Sequence, residues 1–466
     1  MDRFLMSSPS ERAPMRAERW YATVWRWHFY AGLFAAPFIL WLSATGAIYL
    51  FKPQIEAWLD RPYDTLRLEG PRLPPSELAL RAEGAVPGSV LHSFILPDEP
   101  DDAQRVIVGV GAVETRVYLH PATGAVLYRV AEEARLMRFI ARLHGELKAG
   151  RPGSALVELA ASWTVILLLS GLFLWWPRGR KGWAGVLWPR LTARGRIVWR
   201  DLHAVTGVWL SLAAAFLILS GLPWALSWSD YLAHVRQVTG QSAGPVDWSQ
   251  GSAAEAASRA ALDRAARGAR ADDHAHHGMV QPAAPAALAQ LDQVVPAVAG
   301  LDLAGPVHVT PPAEAGSMIW RAASNSVNRP LRDAVEVDGT AGQVVGRLDF
   351  ADRHPIDRAV GYGIAIHEGA LFGWANQLLG LAVVAGLSLM AVAGLVLWWR
   401  RRPTGRLGAP PPQGQLRHSW ALVALTVLLG FVVPLFGISL AVLVALEQSV
   451  LRRSARASRF LGLRTG

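Results

Sequence analysis

Long apolar runs alternate with polar segments along the whole chain. Several runs exceed the about 20 residues that a helix needs to cross the hydrocarbon core of a bilayer. This pattern predicts an α-helical integral membrane protein. We place the spans, in chain order, at 25–51, about 154–176, 199–226, about 374–399 and 419–446.

Two long polar segments, 52–143 and 227–366, change to the period-two alternation that is typical of half-buried strands. The first segment predicts a helix, several short strands with a PATG turn at 121–124, and a second helix near 132–148. The second segment repeats this plan after an Ala/Ser/Arg/Gly-rich stretch at about 240–283, which we interpret as an insertion or flexible linker. We expect each segment to form a small α+β domain with a short antiparallel sheet.

One stretch of the chain occurs twice. Residues 144–176 and 367–399 each comprise a histidine-headed segment and the span that follows it, and the two align without a gap. Both copies have glycine six residues after the histidine, Gly-Leu near the end and a closing Leu-Trp-Trp before a basic flank. His144 and His367 lie ahead of the apolar part and are therefore expected near the outer surface. Gly171 faces away from His144 on the helix, so we assign it to helix packing.

The two other spans also match each other. Eighteen residues return a helix to its starting angle, and four residues lie about 40° from it. Each of the two histidines, His28 and His203, therefore heads a stripe of small residues on its own helix face. The match predicts a duplicated unit of two transmembrane helices enclosing an α+β domain, with an additional C-terminal helix. The glycines at four and eighteen residues after each histidine are Gly32, Gly46, Gly207 and Gly221.

The charge distribution predicts the orientation of the spans. Much of the net charge of +10 comes from arginine clusters beside the apolar runs, and the loops 177–198 and 400–418 contain no acidic residue. The positive-inside rule places both loops and the N-terminal residues 1–24 in the cytoplasm. Both α+β segments are then periplasmic, as in a multi-pass protein of the bacterial inner membrane.

The last apolar run, 419–446, fits this scheme less well. A single fifth span would put the arginine-rich tail, 447–466, on the outer side, against the charge bias. A break at Pro434 that gives a re-entrant hairpin would keep the tail inside. From the sequence we prefer one kinked span.

The composition limits the kinds of metal site and redox chemistry that the chain can support. The chain has no cysteine, which excludes disulfides, iron–sulfur clusters and thiol chemistry. Histidine is then the obvious strong ligand for a transition metal. The basic residues border hydrophobic helices and form no separate basic domain, so nucleic acid is not an expected partner, whereas membrane lipid is.

The repeated histidines predict two metal sites. Parallel repeats of two spans each are related by a pseudo-twofold axis along the membrane normal. This axis places His28 opposite His203 near the cytoplasmic face and His144 opposite His367 near the outer face. Because a six-coordinate b-type haem takes one axial nitrogen from each of two imidazoles, we predict two haem b groups. His418 also begins an apolar run and is a lower-ranked alternative for the inner site.

Other polar residues are weaker candidates. His274, His276 and His277 lie in a DDHAHHG cluster whose donors suit Cu²⁺, Ni²⁺ or Zn²⁺, but its setting is a predicted flexible loop. Glu158 is the only acid well placed within a span, where a carboxylate is a functional candidate. Several lone histidines are expected at the surface or in turns: His92, His120, His234, His308 and His354.

The chain resembles the PepSY-associated transmembrane helix family over most of residues 20–450, except the 240–283 insertion. The resemblance implies an inner-membrane haem protein that reduces ferric siderophores in the periplasm, with His28, His203, His144 and His367 as haem ligands. It is carried by WHFYAGLFAAPFILWLSATGAIYLF, VYLHPATGAVL, LHGELKAG and IHEGALFG.

The leading hypothesis is therefore a haem-dependent oxidoreductase that takes electrons from a quinol or a cytoplasmic flavoprotein and reduces a periplasmic ferric siderophore during iron uptake. One alternative is a permease for an iron chelate, although almost no polar residues lie in the spans to form a substrate pathway. The other is a membrane module without redox activity whose PepSY-like domains bind a peptide or a protease.

Overall fold

The computed structural model describes residues 16–178, 182–238, 252–276, 286–314, 316–412 and 420–463. The chain divides into two compact units. The first contains Met1–Ser43, Glu158–Ile218 and Ala385–Gly466. The second contains Ala44–Val157 and Leu219–Val384.

Among the described residues, five helices are long and apolar enough to cross a membrane: Trp20–Tyr49, Arg151–Trp175, Arg196–Trp224, Gly373–Arg401 and Pro434–Leu451. The chain is therefore a multi-pass membrane protein, since a helix satisfies its own backbone polar groups in lipid. The α-helices are α1 Arg16–Tyr49, α2 Lys52–Asp60, α3 Pro75–Ala85, α4 Leu136–Glu146, α5 Arg151–Trp175, α6 Arg196–Gly221, α7 Leu226–Val238, α8 Ser252–His276, α9 Ala286–Ala289, α10 Leu291–Ala299, α11 Pro355–His367, α12 Gly373–Arg401, α13 Trp420–Val432, α14 Pro434–Leu446 and α15 Ala455–Leu461.

In the first unit, the repeated Leu-Trp-Trp triplets hold the basic loops. Trp175, near the end of α5, donates its indole N–H to the carbonyl of Val186 at 2.9 Å. Trp398, near the end of α12, donates in the same way to Leu407 at 2.8 Å. Each loop is thus tied to the helix that precedes it.

The last apolar run folds as a helical hairpin, so our preference for one kinked span was wrong. α13 and α14 are separated at Val433, whose φ of −130° and ψ of 80° are not helical, as expected for a residue before proline. Gly430 and Gly437 touch across the turn, because a Cβ on Gly437 would lie 3.0 Å from the Cα of Gly430. α13 has thirteen residues and is therefore about 20 Å long, which is too short to cross a core of about 30 Å.

Contacts at the C-terminus agree with the hairpin. Phe460 in α15 accepts a hydrogen bond from the backbone N–H of Leu407 at 2.9 Å, in the basic loop that precedes α13. Arg26 near the start of α1 donates to the carbonyl of Gly462 at 2.8 Å. The helix Pro434–Leu451 qualifies as a span by length and composition, but these contacts return the tail to the side from which the run begins.

In the second unit, the strands of the described residues form one antiparallel sheet in the order β4-β3-β2-β1-β5-β6-β7-β8. We expected two separate short sheets. The two runs of four strands are instead joined where β1 pairs with β5, through Phe94 with Val309 and Ile95 with His308. The strands are β1 Val90–Ile95, β2 Gln104–Val110, β3 Val113–Leu119, β4 Val126–Ala131, β5 Val307–Thr310, β6 Ile319–Ser324, β7 Ala334–Asp338 and β8 Gln343–Leu348.

A single hydrophobic core crosses the junction between β1 and β5. Alternate residues of each strand point to the same side of the sheet. The apolar residues on one side pack against α3 and α10. The most buried side chains come from both halves: Leu78, Leu91, Phe94, Val117, Leu291, Val294, Trp320 and Val337. This shared core makes the eight strands one structural element.

The stretch that we interpreted as a flexible linker contains α8, which packs on β1, β2 and β3. The flexible-linker interpretation was therefore wrong for residues 252–267, whereas an insertion remains a prediction. Arg259 of α8 forms an ion pair of 2.8 Å with Glu114 of β3. His92, which we expected at the surface, is only 1% exposed and lies at a bulge of β1.

Candidate functional site

His28 of α1 and His203 of α6 are brought together in the first unit. Their ring centroids are 6.1 Å apart and the ring planes are nearly perpendicular, at 82°. Both side chains lie in the apolar part of a membrane-spanning helix. The sequence-predicted inner pair is thus a pair of neighbours in space.

Hydrogen bonds fix the orientation of both rings. The Nδ1 of His203 lies 2.9 Å from the backbone carbonyl of Met390 in α12, so it must carry the proton and donate. The Nδ1 of His28 lies 2.9 Å from the Oγ of Ser170 in α5. The Ser170 hydroxyl donates to the carbonyl of Ile166 at 2.6 Å, so its oxygen accepts from His28. Each ring therefore keeps Nε2 as the nitrogen with a lone pair.

A glycine of a different helix lies against each inner ring. A Cβ on Gly171 would be 3.3 Å from the Cε1 of His28, and a Cβ on Gly394 would be 3.3 Å from the Cε1 of His203. Gly171, which we assigned to helix packing, packs against His28 of α1 and leaves room for its imidazole. Gly32, on the predicted stripe of α1, has Leu167 as its nearest neighbour.

The outer histidines are held in the same manner within the second unit. The Nδ1 of His144 in α4 lies 2.9 Å from the Oγ1 of Thr45 in α1. The Nδ1 of His367, at the end of α11, lies 2.9 Å from the Oγ of Ser220 in α6. The ring of Trp224 packs on His367 at a centroid distance of 6.1 Å. Glycines again face the rings, since a Cβ would lie 3.3 Å from His144 at Gly46 and 3.6 Å from His367 at Gly221.

A short motif unites these contacts, and the sequence reasoning missed it. A hydroxyl residue directly precedes the ring-facing glycine in Thr45-Gly46, Ser170-Gly171 and Ser220-Gly221. The hydroxyl holds Nδ1 and the glycine accommodates Cε1. At the fourth position, Ala393-Gly394, no hydroxyl is present, and the carbonyl of Met390 takes its place. The recurrence of this dipeptide in the matched spans is the signal that a sequence reading could have used.

Asp201 is a second residue that the sequence reasoning missed. It lies two positions before His203 and is fully buried. Its carboxylate accepts from the Nε of Arg190 at 2.7 Å and from the Nε of Arg200 at 2.9 Å. The ion pairs fasten the first basic loop to the start of α6, close in sequence to an inner histidine.

The weaker candidates gain little from the structure. His418 and His277 lie outside the described residues. His274 and His276 fall in the last turn of α8, and within the described ranges there is no group of three or more metal-binding side chains. Glu158 is 2% exposed in α5.

Three lone histidines of the second unit have structural roles. His120 accepts hydrogen bonds in the turn before β4, from the N–H groups of Ala122 and Thr123. His354 caps α11 by accepting from Ile356. His308 hydrogen-bonds to Ser93 at 3.1 Å, and burial lowers the pKa of His308 to about 4.

The second unit also contains a cavity of about 320 Å³ between the sheet, α3 and α10. Its wall combines apolar side chains with one cation, Arg72, and the carboxylates of Asp98 and Asp302. Arg72 donates to the side chain of Gln104 at 3.3 Å, and burial lowers the pKa of Arg72. The cavity could admit a small molecule that carries both charges.

Comparison with known proteins assigns the family. No curated protein matches the chain. The family described as the PepSY-associated TM region matches residues 25–401, which include the four histidines and both halves of the sheet. Since this match covers most of the 466 residues, the chain belongs to the PepSY-associated TM family.

Proposed function

We propose that this chain is a di-haem b membrane protein that transfers single electrons. His28 and His203 would ligate one haem, and His144 and His367 the other. Haem supplies one-electron chemistry between ferrous and ferric iron when it is bound, while the protein supplies ligands, burial and orientation. The observation that carries the proposal is the close approach of the His28 and His203 imidazoles.

The inner pair fits the requirements of an iron between two imidazoles. Bonds from a first-row metal to an imidazole nitrogen are about 2 Å long, so two rings on one metal have centroids about 6 Å apart, close to the observed 6.1 Å. The hydrogen bonds from both Nδ1 atoms favour metal binding by Nε2. They fix the tautomer of each ring and raise the basicity of Nε2. Gly171 and Gly394 leave open the space that a side chain would fill beside each ring.

The outer pair is proposed by analogy with the inner one. Each matched half of the chain contributes one inner and one outer histidine, with a hydroxyl or carbonyl on Nδ1 and a glycine beside Cε1. The mirrored strand order of the sheet supports a duplicated unit. A duplication explains why the same local contacts occur in both halves.

We further propose that the substrate is a ferric siderophore, reduced on the periplasmic side of the inner membrane. One electron converts tightly chelated Fe³⁺ to weakly held Fe²⁺, and a quinol or a cytoplasmic flavoprotein would provide it. The basic loops, which favour the cytoplasmic side, and the family membership support this orientation and role. The activity would be that of a haem-dependent ferric-siderophore reductase in iron uptake.

A reduced-minus-oxidised absorption spectrum of the purified protein tests the central proposal. We expect a haem b spectrum with about two haems per chain, and about one after His28→Ala or His203→Ala. His234→Ala is the control, because His234 is exposed on α7 and belongs to neither pair. Protein without haem, or with a haem content indifferent to all four histidines, would overturn the proposal.

Reduction of a ferric siderophore by the dithionite-reduced, desalted protein then tests the substrate. Formation of Fe²⁺, trapped by a ferrous chelator, should depend on His144 and His367. Uptake of an iron chelate into vesicles without any reductant would favour a permease instead.

The cavity of the second unit favours a second candidate, a binding module without redox activity. Arg72, Asp98 and Asp302 offer both charges beside an apolar wall, which suits a short peptide better than an anion alone. Haem-free protein that captures a periplasmic peptide, and loses it on Arg72→Ala, would support this candidate.

A further inference from the structure

We infer that α8 is a strap that holds α4 in place and thereby positions His144, with Glu255 as the positioning residue. The part that concerns His144 as a ligand rests on the proposed function. The part that concerns α4 rests on the contacts alone. The strap comprises residues 252–267, whose contacts run along one face of α8.

The strap carries a stripe of alternating charges. Glu255, Arg259, Asp263 and Arg267 follow one another at intervals of four residues, which places them on one helix face. Three of the four side chains are largely buried, with 15%, 14% and 7% exposed for Glu255, Arg259 and Asp263. A buried charge needs a partner of opposite sign. Each buried charge of the stripe is therefore expected to face an oppositely charged group on the elements that pack against α8.

The first part of the strap binds α4 through ion pairs and a hydrogen bond. The Glu255 carboxylate forms ion pairs with Arg138 and with Arg142, the latter at 2.8 Å. The backbone N–H of Ser252, at the start of α8, donates to the Glu146 carboxylate at 2.7 Å. Arg142 and Glu146 flank His144 by two residues on either side.

The remainder of the strap is anchored to the sheet. Arg259 pairs with Glu114 of β3 at 2.8 Å. It also pairs at 3.0 Å with Glu133, which lies in the turn between β4 and α4. Asp263 lies 3.7 Å from the Nε2 of His92 in the bulge of β1. The last member, Arg267, donates to the carbonyl of Gly88 at 2.8 Å. The strap therefore links a rigid sheet to a short helix.

α4 needs such a link. It has 11 residues, and isolated helices shorter than about 12 residues are marginal in water. The last turn of α4 is followed by two residues in the left-handed region, Leu147 and Lys148, with φ of 49° and 56°. The position of His144 therefore depends on what holds α4 from outside.

Hydrogen–deuterium exchange of the full-length protein in nanodiscs tests the strap. Glu255→Gln removes the charge that faces Arg138 and Arg142, and exchange in peptides covering 136–146 should rise by about tenfold or more. Arg267→Gln is the matched control, because Arg267 lies in the same stripe but its partners, Asp263 and the carbonyl of Gly88, are not in α4. Unchanged exchange at 136–146 in Glu255→Gln, or equal loss of protection in β1 to β3, would overturn the inference.

A redox titration of the same variants tests the effect on His144. In Glu255→Gln we expect a shifted or broadened midpoint for the haem that His144→Ala removes, and no change for the haem that His28→Ala removes. Faster exchange in α4 with an unchanged midpoint would mean that the strap does not position His144. A wild-type protein without haem would sink the proposed function, while the exchange data would still decide whether the strap holds α4.

Discussion

Ser170 shows how one side chain can fix the tautomer of a histidine on a neighbouring helix. Its hydroxyl hydrogen is committed to Ile166 and its oxygen receives the Nδ1–H of His28. The arrangement leaves the imidazole no choice of tautomer. Loss of a hydrogen-bond partner of this kind lowers metal affinity by about 10- to 100-fold in known metal sites.

Ser170→Ala should therefore weaken haem retention at the inner site by about 10- to 100-fold, measured by transfer of haem to an apo-haem scavenger. Ser162→Ala is the matched control. Ser162 is also buried in α5 and also donates to the carbonyl four residues back, but it contacts no histidine ring in the described structure. Equal haem loss in both variants would contradict the role of Ser170.

At the residue scale, the sequence identified the histidines but not their partners. The repeat brought His28 and His203 into one hypothesis because they occupy matched positions. Periodicity, however, reports only the face of a residue's own helix. Gly171 and Gly394 act on histidines of other helices, and such contacts exist only once the helices are packed.

Ion pairs help to position α4 and α8, and Glu133 is the clearest case because it pairs with Arg142 of α4 and Arg259 of α8. Burial opposes the ionisation of Glu133, but hydrogen bonds from Arg142 and Arg259 outweigh it and lower its pKa to about 2. A depressed carboxyl pKa stabilises the folded state above the ordinary value of 4.5. This stabilisation is lost as the pH falls towards about 2.

Attachment of α8 should accordingly weaken between pH 4.5 and about 2. Pepsin, which is active in this range, should cut the wild-type chain within 252–276 only at the acidic end. Glu133→Gln should be cut there already near the upper end, because its ion pairs are absent at every pH. Cleavage within 286–299, scored in parallel, reports general unfolding. An identical pH profile for both proteins would refute the role of Glu133.

At the element scale, the strands could be predicted and two helical features could not. The period-two alternation placed the strands because each buries one face. The composition of 240–283 resembled a linker, yet the four-residue spacing of Glu255, Arg259, Asp263 and Arg267 already indicated a helix with a charged face. The hairpin depends on contacts of Phe460 with Leu407 and of Arg26 with Gly462, which no local pattern contains.

For the whole molecule, the hairpin determines on which side the chain ends. Because the native chain has no cysteine, single cysteines can report the side without background. Thr404→Cys in the second basic loop and Arg456→Cys in α15 should react with a membrane-impermeant maleimide from the same side. Thr340→Cys, in the turn between β7 and β8, should react from the other side, as the positive-inside rule requires. Labelling of positions 404 and 456 from opposite sides would restore the single-span topology.

The pairing of β1 with β5 also means that β1 is synthesised well before its partner strand. Phe94 meets Val309, a partner 215 positions later (309 − 94). At about 5 to 20 residues per second, the ribosome needs roughly 10 to 40 s to deliver it. During that interval β1 presents an open edge, which is the kind of surface that joins strands of other chains. The first half of the sheet must therefore be kept apart from its neighbours until the second half has been synthesised, and a ribosome that stalls before residue 307 leaves behind a fragment prone to aggregation.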